Sequence, residues 1–184
     1  MSQTQVAQKR FELENEIVDE EKTYHFDENE LQKVLAARPW KSNPDHFKKV
    51  KISAVALIKM VMHARSGGDI EVMGLMQGYP VGDTMYVMDA FGLPVEATET
   101  RVNAGKEADA YMFAHIDKCT EVARPEYICG WYHSHPGYGC WLSGIDVTTQ
   151  QNYQKIQDPS VAIVIDPKRT IAAGKVEIGC FRAY

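Results

Sequence analysis

The residues best equipped for chemistry lie close together, in Trp131-Tyr132-His133-Ser134-His135-Pro136-Gly137-Tyr138-Gly139-Cys140-Trp141-Leu142-Ser143-Gly144-Ile145-Asp146. His133 and His135 are two apart at the end of an expected strand, so both imidazoles leave the same face. Pro136 stops that strand, and Gly137 and Gly139 let the chain turn sharply. Ser143 and Asp146 then open an expected helix, which can return the Asp carboxylate toward the two imidazoles. Two nitrogens and one oxygen form a three-ligand set that leaves one zinc position open, the feature that separates catalytic from structural zinc. Each half also has a plainer meaning. H-x-H can be a hydrogen-bonded pair at a strand end, and Ser143-x-x-Asp146 an ordinary N-cap with an acid three residues on. Capping and ligation are compatible, and the combination is much more specific than either half. Cys140 offers a competing chemistry, since a thiol near two histidines can act as a nucleophile. Histidines engaged by zinc would leave that thiol no separate general base. The H-E-x-x-H pattern and the H-x-E with P-C-x-x-C pattern are both absent.

The elements that must position these residues follow from periodicity and punctuation. Ser53 is a plausible N-cap for a helix over residues 53–65, with Leu57, Met60, Val61 and Ala64 on one face. Gly67-Gly68 supplies its stop. A strand over 72–77, a turn over 78–83 and a second strand over 85–91 come next. Residues 92–109 read as a polar loop, 110–122 as a helix and 127–133 as the strand that ends on the histidines. A helix over 144–157 and strands over 161–165 and 174–178 complete the pattern. Strands alternating with helices predict an α/β fold, a mixed β-sheet with helices packed on it. A short docking helix is expected over 31–40, ended near Pro39.

Composition narrows the class. The chain has 184 residues, 45% hydrophobic and 24% charged, a balance ordinary for a globular domain. Its longest apolar runs, at 54–58 and 161–165, are far too short to span a bilayer, so no membrane partner is expected. The formal charge of −5 gives no reason to expect nucleic-acid binding. Nine acids and three bases fall in the first thirty residues, leaving the remainder with 16 acidic and 17 basic residues. The acidity therefore belongs to an N-terminal segment, read as a flexible tail over 1–34 ahead of a body over 35–184. Cys119, Cys129, Cys140 and Cys180 form no C-x-x-C pair, so neither a disulfide scaffold nor a four-cysteine zinc site is expected.

His133-Ser134-His135-Pro136, with Ser143 and Asp146, resembles the zinc motif of the JAMM (MPN-plus) metalloprotease family. Pro39-Trp40, Lys51-Ile52-Ser53, the run from Met60 to Gly68, the run from Thr98 to Ala104, and Ile165-Asp166-Pro167 with Arg169-Thr170-Ile171 extend the resemblance over roughly 35–184. They point to the branch of the family found in signalosome assemblies. The resemblance implies a three-layer MPN fold shortened at its C-terminal end, and one Zn2+ per chain held by His133, His135 and Asp146. It implies Glu71 as general base, a residue that otherwise reads as a solvent-facing strand glutamate, and it leaves Ser143 to donate to an oxyanion. The implied reaction is hydrolysis of the isopeptide bond between a ubiquitin-like modifier and a cullin lysine. The implied partners are other signalosome subunits, including a second MPN subunit, and modified cullin-RING ligases, in cytoplasm and nucleus. A proteasome-lid type of deubiquitinase and a non-catalytic MPN scaffold remain alternatives. Within the 92–109 loop, Glu99 could take the open coordination position or Arg101 could pair with Asp146, keeping the isolated chain weakly active. A solvated loop is the other reading.

Overall fold

In the computed structural model, which describes residues 2–14, 27–96, 106–122, 124 and 126–184, the sequence forms six helices around one six-stranded sheet among those residues. Helix α1 (Gln3–Glu14) buries none of its side chains, as expected for a segment so poor in apolar residues. Helix α2 (Glu28–Ala37) is capped by Asp27, whose carboxylate accepts from the Asn29 and Glu30 amides. It buries Leu31 against Tyr79 and Met88. The division expected between residues 34 and 35 thus falls inside a helix that packs on the body. A single 3-10 turn, Pro39–Lys41, follows.

Strand β1 (Lys49–Ile52) leads into helix α3 (Ala54–Ser66). Ser53 caps α3 as anticipated, accepting from the Ala56 amide at 3.0 Å while its hydroxyl donates to the Met88 carbonyl at 2.6 Å. The buried stripe of α3 is Ala56, Met60 and Ala64. Leu57 and Val61, expected on that face, lie at its flank and are only partly buried. Two alanines on the stripe let the helix axis approach the sheet closely.

Strands β2 (Val72–Val81) and β3 (Thr84–Glu96) are longer than the sequence suggests, and the connection between them is only Gly82-Asp83. Gly78 and Pro80, read as turn residues, lie within β2 instead. A Cβ at Gly78 would stand 1.9 Å from the Tyr86 carbonyl oxygen, so this glycine serves close strand approach rather than a turn. Pairing of β2 with the next strand along ends at Gly78, so Pro80 lies where β2 pairs with β3 alone. A strand unpaired on one side tolerates the missing amide hydrogen.

Helix α4 (Lys106–Glu121) and strand β4 (Tyr127–Ser134) follow, then helix α5 (Gly144–Ile156) and strand β5 (Val161–Ile165). Of the expected 92–109 loop, residues 92–96 belong to β3 and 106–109 to α4. Glu99 and Arg101 lie outside the described residues. The chain closes with helix α6 (Pro167–Ala173), not anticipated, and strand β6 (Ile178–Phe181). Gly174, expected to start the last strand, ends α6 in the left-handed conformation at φ 67°.

The sheet order is β1-β3-β2-β4-β5-β6, with β1/β3 and β4/β5 parallel and the other pairs antiparallel. On one face α3 packs over Met76, Met85, Val87, Tyr132, Ile163 and Ile165. On the other, Met112 of α4 and Tyr153 of α5 cover Met73, Leu75, Phe91 and Trp131. The result is the mixed sheet with packed helices expected from the alternating elements, in the three-layer α/β arrangement that the resemblance implied. No helix among the described residues is long and apolar enough to cross a membrane.

Candidate metal centre

Parallel pairing of β4 with β5 sets the position of the two histidines. His133 sits opposite Val164, Ser134 opposite Ile165, and the His135 amide donates to the Ile165 carbonyl at 2.9 Å. Both imidazoles are almost wholly buried, at 3% and 2% exposure. Their Nε2 atoms face one another at 2.9 Å. Trp131 stacks beneath the His133 ring, 4.6 Å between centroids and 12° between planes, and Tyr138 stacks on His135 at 4.4 Å. The Trp131 indole is itself anchored, donating to Gln150 of α5 at 2.9 Å. Each ring is thus held by an aromatic neighbour as well as by its strand.

Asp146 arrives from the first turn of α5. Ser143 and Asp146 form a reciprocal capping box: the Asp146 amide donates to Ser143 Oγ at 3.2 Å and the Ser143 amide to Asp146 Oδ2 at 2.8 Å. The Ser143 hydroxyl donates to the same carboxylate oxygen at 2.7 Å. Capping and convergence therefore coexist, because Asp146 Oδ2 lies 3.6 Å from His133 Nε2 and 3.8 Å from His135 Nε2. Burial alone would raise the Asp146 carboxyl, but His133 and Ser143 outweigh it and hold the group at about 2.

Glu71 precedes β2 directly. The Val72 amide donates to the buried Ser134 hydroxyl at 3.0 Å, tying this strand start to the histidine strand. Glu71 Oε1 lies 3.9 Å from His135 Nε2, and its side chain is 27% exposed, so it faces both the histidines and solvent. The structure thus brings together all five of the described residues singled out in the sequence: Glu71, His133, His135, Ser143 and Asp146.

A donor set must suit the ion as well as surround it. His133, His135 and Asp146 each offer a ligand atom within 4.8 Å of the others. The Nδ1 of His135 lies 2.9 Å from the Gly139 carbonyl, which can only accept, so Nδ1 carries the hydrogen and Nε2 turns its lone pair inward. Burial, reinforced by His133, lowers His135 and favours this neutral ring. His133 Nδ1 is buried with no hydrogen-bond partner among the described residues. Two imidazole nitrogens and one carboxylate oxygen converge there, a donor set that fits a divalent cation of the zinc type. No other group of three such side chains gathers this closely among the described residues.

The cysteine alternative has no support. Burial pushes the Cys140 thiol up, away from thiolate, and its S–H donates to the Glu177 carbonyl at 3.4 Å. Trp131 and Tyr132 are core residues, whereas Trp141 is half exposed beside His135. His63 packs edge-on against Tyr132 with Nδ1 2.8 Å from the phenol oxygen, as a packing residue should.

Sequence reasoning assigned no role to Asp166. This side chain is fully buried and caps α6 through the Arg169 amide at 2.9 Å. It also accepts from the Gly137 and Gly139 amides at 3.0 and 2.8 Å. An Asp followed by Pro is a recognisable helix start, but nothing in the sequence joins it to a turn 27 residues earlier.

A mixed three-layer sheet with two strand-end histidines and a helix-start aspartate defines a class. The chain belongs to the JAB1/Mov34/MPN/PAD-1 ubiquitin protease family, whose family model matches residues 45–159. It is 59% identical over 184 residues to COP9 signalosome complex subunit 5 of Aspergillus fumigatus, an alignment covering 98% of this chain and 55% of that protein. It is 56% identical to subunit 5a of Arabidopsis thaliana, covering 100% and 53%, and 57% identical to subunit 5 of Drosophila melanogaster, covering 97% and 55%. The chain spans about half the length of the curated relatives it matches.

Proposed function

We propose that this chain is the zinc-dependent isopeptidase subunit of a signalosome-type complex, cleaving a ubiquitin-like modifier from a cullin lysine. The convergence of His133 Nε2, His135 Nε2 and Asp146 Oδ2, with Glu71 3.9 Å from His135, carries the reading. The names of the relatives support membership of a signalosome assembly; in this reading its partners are a second MPN subunit and modified cullin-RING ligases, in cytoplasm and nucleus. His133, His135 and Asp146 would hold one zinc ion, which would supply carbonyl polarisation and a water acidic enough to be deprotonated near neutral pH.

The protein's own groups do the rest. Glu71 takes a proton from the attacking water as the new C–O bond forms. It returns that proton to the lysine nitrogen as the C–N bond breaks, so the amine leaves neutral. Ser143 Oγ–H turns from Asp146 toward the developing oxyanion. Trp131 and Tyr138 keep the imidazoles from rotating while this happens.

Ser143 has a second duty as helix cap, and the two separate experimentally. Losing an oxyanion donor typically costs about 100- to 1000-fold in rate, whereas losing a cap costs about 1 kcal/mol. Ser143→Ala is therefore expected to lower kcat by roughly two to three orders of magnitude, with a thermal midpoint lowered by only a few degrees. Steady-state kinetics beside a melting curve read both. A melting shift with unchanged kcat would leave Ser143 as a cap alone. Substrate choice is read by offering a modifier-linked cullin and a ubiquitin dimer in parallel. Preference for the dimer would favour a deubiquitinase, and cleavage of neither with zinc bound would favour a scaffold.

A further inference from the structure

Gly137 and Gly139 adopt φ of 99° and 89°, and the turn they form ends over the His135 ring. Glycine reaches such angles freely, so only an outside contact selects this one conformation of the turn. Asp166 provides it: Oδ1 accepts from Gly137 and Oδ2 from Gly139. Gly139, gripped through its amide, offers its carbonyl to His135 Nδ1 at 2.9 Å. A continuous path thus runs from a buried carboxylate, through the single residue Gly139, to the imidazole facing Asp146. The sheet brings the two ends together, since Ile165 pairs with Ser134 and accepts from the His135 amide. Arg169 completes the arrangement, its Nε 3.3 Å from Asp166 Oδ2.

We propose that Asp166 is a positioning residue for the metal centre: it locks the 137–139 turn so that Gly139 holds His135 as the Nδ1–H tautomer, with Nε2 free to bind metal. Capping α6 needs only one carboxylate oxygen and one amide, yet this carboxylate is spread over three backbone amides from two segments. An Asn cannot reproduce that pattern, because its NH2 would confront an amide N–H on one side. Partners that orient a ligating histidine typically account for about 10- to 100-fold in metal affinity. The proposal rests on the reading of His133, His135 and Asp146 as metal ligands.

The test is zinc titration of the metal-free chain, alongside 15N shifts of the His135 ring nitrogens. Three variants are compared with the unmodified chain. Asp166→Asn perturbs both glycine contacts, and Asp166→Ser keeps a cap for α6 but cannot span the two glycines. Asp158→Asn weakens a distant part-buried cluster in which Asp158 accepts from Trp40 and Arg182. Zinc affinity is expected to fall about 10- to 100-fold in both Asp166 variants, and the His135 Nδ1–H signature to be lost or mixed. Asp158→Asn should melt earlier yet bind zinc as tightly as the unmodified chain. Unchanged affinity and tautomer in Asp166→Ser would overturn the proposal, as would an equal affinity loss in Asp158→Asn. An unmodified chain that binds no zinc would instead overturn the ligand assignment beneath it.

Discussion

Glu71→Gln is expected to lower isopeptide cleavage by about 100- to 10,000-fold, the range associated with losing a positioned general base, while zinc binding stays intact. The substitution keeps shape and size, so the tie between the Val72 amide and Ser134 that sets this strand start survives. What disappears is the capacity to accept a proton and pass it on. Glu71 Oε1 is 3.9 Å from His135 Nε2 while Asp146 supplies the third donor of the cluster, so the glutamate lies beside the ligand set without belonging to it. Metal content and single-turnover cleavage of the same preparation check the expectation. Cleavage within a few-fold of the unmodified chain would remove Glu71 from the mechanism.

A large loss of stability is expected from Gly130→Ala. Gly130 lies in β4 beside β5, at a φ of 152°, next to an irregularity in its pairing with β2. A Cβ there would stand 2.0 Å from the Val161 carbonyl oxygen and 2.9 Å from its carbonyl carbon and amide nitrogen. All three obstacles are backbone, so no side chain can swing aside to relieve the overlap. The strands must separate, at a cost on the order of 3 kcal/mol. That corresponds to roughly 6–12 °C in thermal midpoint for a chain of this size. Because β4 and β5 together place His133 and His135, zinc affinity should fall as well. A melting curve within two degrees of the unmodified chain would show that the sheet accommodates the methyl group.

Much of the site was legible because its residues are close in sequence. H-x-H at a strand end and S-x-x-D at a helix start each obey local geometry, and the strand and helix carry them to one point. Ser53 as the cap of α3 and the wholly apolar β5 were readable for the same reason. Misreadings arose where a residue's role is tertiary. Gly78 and Gly92 look like turn signals, yet both lie in strands where a neighbour needs the space of a missing Cβ. At Gly92 that neighbour is the His63 ring, 2.7 Å from where the Cβ would be. Helix α6 is short and follows β5 directly, so its weak periodicity gave no separate signal. Asp166 was invisible as a site residue because its partners lie across a parallel strand pair.

The most direct measurement is zinc stoichiometry combined with cleavage of a modifier-linked cullin by the same chain. One zinc per chain is the expected result, with cleavage abolished by a chelator, restored by zinc and unaffected by thiol alkylation. His133→Ala, His135→Ala and Asp146→Ala should each lose the metal and the activity together. Cleavage that persists without zinc, or a chain that folds normally and binds none, would contradict the assignment of His133, His135 and Asp146 as a catalytic metal centre.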